Sequence, residues 1–97
     1  MPTFLVSPSA DADLEEIAEY TDKHYGRTQA EKYLRNLYDR FQKLAENPLL
    51  GRDRSDIKPG YRSAREGSHQ IYYIKNDDGI GIIAVLHQAM DAEDRLD

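Results

Sequence analysis

The sequence has no cysteine and no long hydrophobic run. Without cysteine, the chain cannot form a disulfide framework, a thiol nucleophile or a thiolate metal site. The longest apolar stretch runs from Ile80 to Leu86, is interrupted by Gly81 and is far too short to cross a bilayer. No basic stretch followed by an apolar core stands at the N-terminus, so no signal peptide is expected and a cytoplasmic location is predicted.

Three motifs that would indicate catalysis or cofactor binding are also missing. Gly79 and Gly81 lie in a predicted hairpin, whereas a phosphate-binding glycine loop stands between a strand and a helix. His24, His69 and His87 are widely spaced and do not form a metal-binding pattern. No local arrangement supports Ser-His-Asp catalysis. The sequence therefore predicts no metal, no cofactor and no small-molecule substrate.

The charge of the chain is acidic overall but unevenly distributed. The net charge of −5 opposes nucleic-acid binding unless positive charge is concentrated in one patch. Residues 51–75 have six basic and three acidic side chains, whereas residues 1–50 and 76–97 are both acidic. The length and an apolar content of 39% predict a single domain over residues 1–97.

Hydrophobic periodicity predicts a strand followed by a helical hairpin. The apolar segment from Thr3 to Val6 ends at Ser7-Pro8, a pair suited to the N-cap and first position of a helix. Gly26 can end that helix in a left-handed conformation, and the capping box from Thr28 to Glu31 starts a second helix that ends at Asn47-Pro48. The apolar stripes of the two helices consist of Ala10, Leu14, Ile17, Ala18 and Thr21, and of Ala30, Tyr33, Leu34, Leu37, Tyr38, Phe41, Leu44 and Ala45.

The second half of the chain predicts an antiparallel meander. Residues 49–60 show no sustained period and are interpreted as an irregular connection. Three extended segments follow, at Tyr61 to Glu66, His69 to Lys75 and Ile80 to Ala89. In the third segment, apolar side chains occupy both the even and the odd positions, and therefore both faces of the strand. This pattern is expected for a central strand that is covered on both faces. Asp91 to Asp94 can cap a last short helical turn.

These elements predict an α+β fold with a four-stranded sheet packed on two helices. Two helices cover one face of so small a sheet. An exposed apolar patch is therefore expected on the other face, and such patches mark binding surfaces. The alternative is that residues 49–60 or the C-terminal turn fold over that patch.

A few side chains could carry binding or chemistry. Strand parity places Arg62 and Arg65 on opposite faces, where they could bind phosphates or acidic partner side chains, or remain solvated at an edge. His87 follows the apolar third strand, and is either a general acid or base or a hydrogen-bonded structural residue. Spacing assigns most aromatic side chains to packing rather than to base stacking.

Four segments resemble those of a known family. They are Asn47-Pro48, Gly60-Tyr61-Arg62, Gly67 to Tyr73 and Leu86 to Asp91. With the predicted order of elements, they resemble the ParE toxins of the RelE/ParE superfamily over nearly the whole chain. The resemblance implies a bacterial type II toxin that serves plasmid or chromosome maintenance and is neutralised in a hetero-oligomer by a ParD-like antitoxin. It also implies a non-enzymatic toxin that binds DNA gyrase and traps it with cleaved DNA.

The resemblance also implies a set of binding residues. The side chains expected to contact the target or the antitoxin are those of Tyr61, Arg62, Arg65, His69, Tyr73, His87 and Met90. None of them is expected to be catalytic, and neither sequence-specific nucleic-acid binding nor membrane binding is implied.

Two alternatives remain open at this point. In a RelE-like ribonuclease that cuts messenger RNA on the ribosome, Arg62 or Arg65 would steady the scissile phosphate and His87 would transfer a proton. The acidic net charge and the absence of tyrosine after Tyr73 oppose this alternative. The other alternative is a non-toxic relative that only binds its antitoxin.

Overall fold

The structure is a computed structural model that describes residues 1–96. Its elements in chain order are β1 (Thr3–Val6), α1 (Pro8–Tyr25), α2 (Arg27–Glu46), a 3-10 turn (Pro48–Leu50), β2 (Arg52–Asp53), β3 (Arg62–Glu66), β4 (His69–Asn76), β5 (Gly79–His87) and α3 (Ala92–Leu96). The predicted α+β class is confirmed, including the last short helical turn. Within residues 1–96, no helix is both long and apolar enough to cross a membrane.

The two long helices form where the periodicity predicts them. α1 begins at Pro8, and the hydroxyl of Ser7 accepts a hydrogen bond from the Ala10 N–H at 3.0 Å. Gly26 ends α1 with a φ of 93°, a value that favours glycine. The predicted capping box is wrong, because Gly26 is itself the N-cap of α2 and Thr28 already lies inside the first turn.

The five strands form one sheet in the order β1-β5-β4-β3-β2. The predicted antiparallel meander of β3, β4 and β5 is confirmed, and β1 pairs in parallel with β5, which is therefore an interior strand. The predicted count of four strands is one too low, because Arg52 pairs with Ser63 in the short strand β2. A two-residue strand cannot show an alternating pattern, so residues 49–60 look irregular in the sequence.

The main core lies between the helical hairpin and one face of the sheet. Its largest fully buried side chains are Tyr73, Phe41, Leu37, Leu44, Ile71, Ile80 and Ile82. Most of the two predicted helical stripes are buried here, with the exception that Tyr38 is 40% exposed. Removal of this apolar area from water is the main source of stability for the packing of helices on sheet.

α1 completes the edge of β5 beyond the end of β1. The pairing of β5 with β4 shifts by one residue at Ile83, which forms a β-bulge. Past this point, the Ser7 hydroxyl donates to the Ile83 carbonyl at 3.0 Å, and the Val85 N–H donates to the Asp13 carboxylate at 3.0 Å. Side chains of the helix therefore satisfy backbone groups that no strand reaches.

The outer face of the sheet is covered around Leu86 and Tyr72, so the exposed apolar patch predicted there is wrong, although Leu5 and Ile74 remain exposed further along this face, on either side of Gly81. α3 and residues 54–61 lie over this face and form a second, smaller apolar cluster. Its buried members are Tyr72, Ala84, Leu86 and Leu96, and Ile57, Tyr61, Ile83 and Ala92 pack against them. The alternative from the sequence, in which residues 49–60 or the C-terminal turn fold over the patch, is therefore confirmed for the part of the face around Leu86.

Candidate functional site

An open groove of about 970 Å³ lies at the end of β5, between α1, the start of α2 and the segment before α3. We call it the histidine groove. Its lining includes Tyr20, Tyr25, Tyr33, His69, His87 and Met90, together with Asp13, Glu16 and Arg95. A concave surface that combines apolar and polar side chains in this way is the usual form of a binding site.

His69 and His87 form the centre of this groove. They are cross-strand partners in the pairing of β4 with β5, and their ring centroids lie 5.5 Å apart in a T-shaped arrangement. Strand parity turns both side chains to the helix side of the sheet, as for Ile71 and Val85 further along the same strands. The register of the meander therefore creates the pair.

Tyr33 fixes the position of the His69 ring. Its hydroxyl oxygen lies 3.0 Å from the Glu66 carbonyl, 2.7 Å from Nδ1 of His69 and 3.2 Å from the Ser68 N–H. All three contacts are satisfied when the hydroxyl donates to the carbonyl and accepts from the other two groups. Gly67 is required beside it, because a Cβ there would lie 2.6 Å from the Tyr33 ring at a φ of 57°.

Burial and a neighbouring charge act on the protonation of His69. Burial lowers the pKa of His69 below its ordinary value of 6.5, and the neighbouring His87 lowers that pKa further. Nδ1 of the exposed His87 accepts a hydrogen bond from the Ala89 N–H at 3.1 Å. The geometry thus favours neutral His69 beside a His87 whose Nε2 atom is left for a partner.

The walls of the groove suit a polypeptide partner. Tyr20 is 60% exposed, Tyr25 is 69% exposed and Met90 is 39% exposed, so large apolar surfaces are accessible. Asp13 and Glu16 add carboxylates, and burial raises the pKa of Asp13 against the opposing effect of the Val85 hydrogen bond.

Among residues 1–96, no group of three His, Asp or Glu side chains could hold a metal ion.

A second, smaller groove of about 490 Å³ lies on the outer face of the sheet. We call it the arginine groove, because Arg52, Arg54 and Arg65 line it together with Ser63, Gln70, Tyr72, Gln88 and Asp91. The guanidinium of Arg54 lies over the Tyr72 ring, 5.7 Å from its centroid, and forms an ion pair with Asp56 at 3.0 Å. Three of the six basic side chains of residues 51–75 thus line one surface.

The comparison with known sequences decides the family. Residues 4–92 match the profile of the family described as "ParE toxin of type II toxin-antitoxin system, parDE". The chain belongs to the ParE toxin family. A ParE1 toxin of Mycobacterium tuberculosis is 44% identical to this ParE chain over 94 residues, which cover 96% of either protein.

Solved structures share the fold of this ParE chain. A chromosomal ParDE toxin-antitoxin system from P. aeruginosa has a TM-score of 0.75 at 19% identity, covering 90% of this chain and 96% of that one. The RelBE2 toxin-antitoxin complex of Mycobacterium tuberculosis has a TM-score of 0.61 at 25% identity, covering 90% of this chain and 99% of that one. The predicted RelE/ParE-like fold is thereby confirmed.

The structure of this ParE toxin separates the seven side chains predicted to bind a partner. His69, His87 and Met90 meet in the histidine groove, whereas Arg65 is exposed on the outer face. Tyr61 packs against the apolar cluster on the outer face. Met90 also lines the arginine groove, so the two grooves meet at this side chain, and the predicted set does not form a single surface.

Arg62 and Tyr73 of the ParE chain lie elsewhere and hold the 3-10 turn. Tyr73 is fully buried, and its hydroxyl donates to the Pro48 carbonyl at 2.7 Å and accepts from the Gly51 N–H at 2.9 Å. The Arg62 guanidinium donates to the carbonyls of Gly51 at 2.6 Å and Leu49 at 3.4 Å. These contacts correct the expectation that both residues present a binding surface, because the two side chains are used within the fold.

Sequence reasoning missed Tyr33 and Asp13 as members of the histidine groove of this ParE chain. Tyr33 lies at the margin of the apolar stripe of α2, so its spacing indicates packing, and its hydroxyl meets His69 only through tertiary contact. Asp13 lies beside the stripe of α1 and looks like a solvated acid. The only sequence signal for either is a position at the edge of an amphipathic stripe.

Proposed function

We propose that this ParE toxin acts by binding DNA gyrase and trapping it with cleaved DNA, and that a ParD-like antitoxin neutralises it. The family membership over residues 4–92 supports a toxin of a type II system. In this proposal residues 1–97 act as one domain without a cofactor. Toxicity then depends on surfaces that contact other proteins rather than on a reaction at the toxin itself.

One observation carries the non-catalytic part of the proposal: the exposed guanidiniums of Arg52 and Arg65 lie on the opposite face of the sheet from the imidazoles. Arg95, the one arginine that lines the histidine groove among residues 1–96, donates to Sδ of Met90 at 3.5 Å and interacts with the charge of the Asp13 carboxylate. His69 and His87 face the helices, whereas Arg52 and Arg65 line the groove on the outer face. Cleavage of RNA would require a proton-transfer group and a cation to converge on one phosphate. The sheet itself stands between the two sets.

Arg62 does not bring a further cation to the imidazoles. It shares the helix face, but its position in β3 is four residues from Glu66, the strand partner of His69. At about 3.3 Å per residue this separation is about 13 Å, and the guanidinium is bound to backbone carbonyls of the 3-10 turn. The carboxylates of Asp13 and Glu16 would also repel a phosphate from the histidine groove.

The histidine groove is the proposed contact surface for the antitoxin. Exposed Tyr20, Tyr25 and Met90 can pack against apolar side chains of a partner, and His87 can donate from Nε2. The solved relatives are described as toxin-antitoxin systems, which supports a polypeptide as the occupant. A helix that lays an apolar face into such a groove is a recurring mode of recognition.

Purified protein tests the proposal directly. It is added to gyrase with supercoiled or relaxed plasmid, and in parallel to ribosomes translating a messenger RNA. We expect accumulation of cleaved plasmid, reversal by the antitoxin and intact messenger. Cut messenger with normal gyrase would replace the proposal with the ribonuclease alternative. No effect in either assay would indicate a non-toxic relative that only binds its antitoxin.

A matched pair of variants tests the antitoxin surface. His87→Ala should weaken antitoxin binding, measured by titration calorimetry, because it removes an exposed donor at the centre of the groove. The control is Lys75→Ala, an exposed side chain of β4 that lines neither groove. Equal affinities of the two variants would contradict the placement of the antitoxin in this groove.

A further inference from the structure

The arginine groove collects positive charge on one surface of an otherwise acidic chain. Strand register pairs Arg52 with Ser63 and Arg65 with Gln70, and Ser63 in turn pairs with Tyr72. Directly paired residues share a face, so these side chains all lie on the outer face of the sheet. The segment with the only net positive charge thus presents two of its four guanidiniums, those of Arg52 and Arg65, on the same face.

Two of these guanidiniums are free to bind a ligand. Arg52 is exposed and forms no ion pair with any residue that the structure describes. Arg65 is exposed and uses Nε to donate to the Gly67 carbonyl at 3.0 Å, which leaves its two Nη atoms available. Arg54 is neutralised by Asp56, and Asp91 is the one carboxylate within residues 1–96 that lines the groove.

We propose that the arginine groove binds the phosphate backbone of duplex DNA without reading its sequence. Arginine and glutamine side chains contact phosphates in protein–DNA complexes, and this groove exposes both types in Arg52, Arg65 and Gln88. The inference rests on the proposed function, because a toxin that traps gyrase on cleaved DNA acts where duplex DNA is present. It adds that the toxin itself contacts that DNA.

The groove fits a duplex better than a single strand or a peptide. Single-stranded binding uses exposed aromatic rings on which bases stack, but Tyr72 is only 4% exposed and lies under Arg54. An acidic peptide would also seek apolar pockets, whereas the apolar cluster on this face is buried beneath α3 and Tyr61. Apart from Met90 at its edge, the groove exposes mainly positive charge and polar side chains, as in a DNA interface.

The spacing of the free arginines agrees with a duplex backbone. The Arg52 and Arg65 rows are two residues apart along β3, which is about 7 Å at about 3.3 Å per residue. The two residues also stand on neighbouring strands, which lie about 4.8 Å apart, so their guanidiniums are well separated. Each guanidinium can therefore contact a different phosphate.

Fluorescence anisotropy with a labelled duplex of about 20 base pairs tests the proposal, over about 50 to 200 mM salt. For the wild type, log K should fall against log salt with a slope of about −2 to −3, since each phosphate contact contributes about −0.9. The double variant Arg52→Gln/Arg65→Gln should bind at least about tenfold more weakly, with a slope smaller by about 2.

The control removes the same charge from the helical hairpin. Arg27→Gln/Arg35→Gln alters two exposed arginines outside both grooves and should bind the duplex as the wild type does. Equal weakening in both double variants, or a wild type that does not bind the duplex, would overturn the proposal. Binding of a polyglutamate peptide without binding of the duplex would likewise overturn it in favour of an acidic polypeptide partner.

The DNA assay contains no gyrase, so its outcome is separate from that of the proposed function. Binding of the duplex through Arg52 and Arg65 by a protein that leaves gyrase active would support the groove and contradict the gyrase target. If the wild type traps gyrase but the Arg52→Gln/Arg65→Gln and Arg27→Gln/Arg35→Gln variants bind the duplex equally well, gyrase is supported as the target. The same result would contradict DNA binding by the arginine groove.

Discussion

The Asp13 carboxylate accepts a hydrogen bond from the Val85 N–H at 3.0 Å, which joins the first helix to the last strand of the sheet. β1 has already ended at this level, so no strand is available to pair with this part of β5. An acidic side chain that looks like part of a solvated helix surface is therefore a backbone partner for the sheet.

This bond predicts a loss of stability in Asp13→Ala. The variant leaves a partly buried N–H without its acceptor, which should cost about 1–3 kcal/mol in the free energy of unfolding. Urea denaturation measures the loss. Asp13→Asn keeps an acceptor oxygen and should lose less, and Glu15→Ala on the exposed side of α1 should change stability by less than about 0.5 kcal/mol. Equal losses in Asp13→Ala and Glu15→Ala would contradict a role for the bond.

Tyr73→Phe should destabilise the fold through the 3-10 turn. The change removes the hydroxyl that bonds Pro48 and Gly51 but keeps the ring in the core, so we expect a cost of about 1–3 kcal/mol. Thermal unfolding provides the measurement, and Tyr25→Phe serves as the control because Tyr25 is 69% exposed. A melting temperature that stays the same in Tyr73→Phe would show that water replaces both bonds without loss.

Leu37→Ala should be among the more damaging single changes in the helices. Its side chain is fully buried between the hairpin and the sheet, and such truncations cost about 2–5 kcal/mol. The same truncation at Leu49, which is 71% exposed, is the matched control and should change the melting temperature little. Similar melting temperatures for the two variants would mean that Leu37 does not support the core.

The His69 and His87 pair should make stability depend on pH. Because the pKa of His69 is lowered in the folded state, the unfolded chain binds its proton more readily. The stability that neutral His69 contributes is therefore present above the ordinary pKa of 6.5 and decreases as the pH falls below it. Urea denaturation at several pH values should show this decrease in the wild type.

Two variants isolate the source of that pH dependence. His69→Gln should flatten the acid side of the profile, because the buried imidazole is gone while an amide can still bond Tyr33. His24→Gln, outside the pair, should keep the wild-type profile. If His69→Gln loses as much stability on acidification as the wild type, groups other than this imidazole cause the decrease.

Local patterns were sufficient for the helices and for the meander. Ser7-Pro8 and Gly26 act through their own backbone geometry, and apolar side chains at helical spacing select the face that becomes buried. The same locality explains the errors. A strand of two residues is too short to show an alternating pattern, so β2 was missed. Gly26 both ends α1 and is the N-cap of α2, so the four residues of the predicted capping box do not contain the true N-cap.

The candidate site residues were likewise predicted only in part. His69, His87 and Met90 were predicted as binding residues, and the structure brings them into one groove. Arg62 and Tyr73 were grouped with them by their place in the family-like segments, but their long side chains reach backward to the 3-10 turn. Direction of a side chain depends on what packs beside it, and a single sequence does not contain that information.

The sequence by itself determined the α+β class, the order of its main elements and the resemblance to ParE toxins, because periodicity, turn residues and charge segregation are properties of neighbours along the chain. Only the tertiary structure decided which face is covered, which histidines touch and where the arginines gather. Those outcomes depend on strand register, and a shift of one residue would turn every side chain of a strand to the other face.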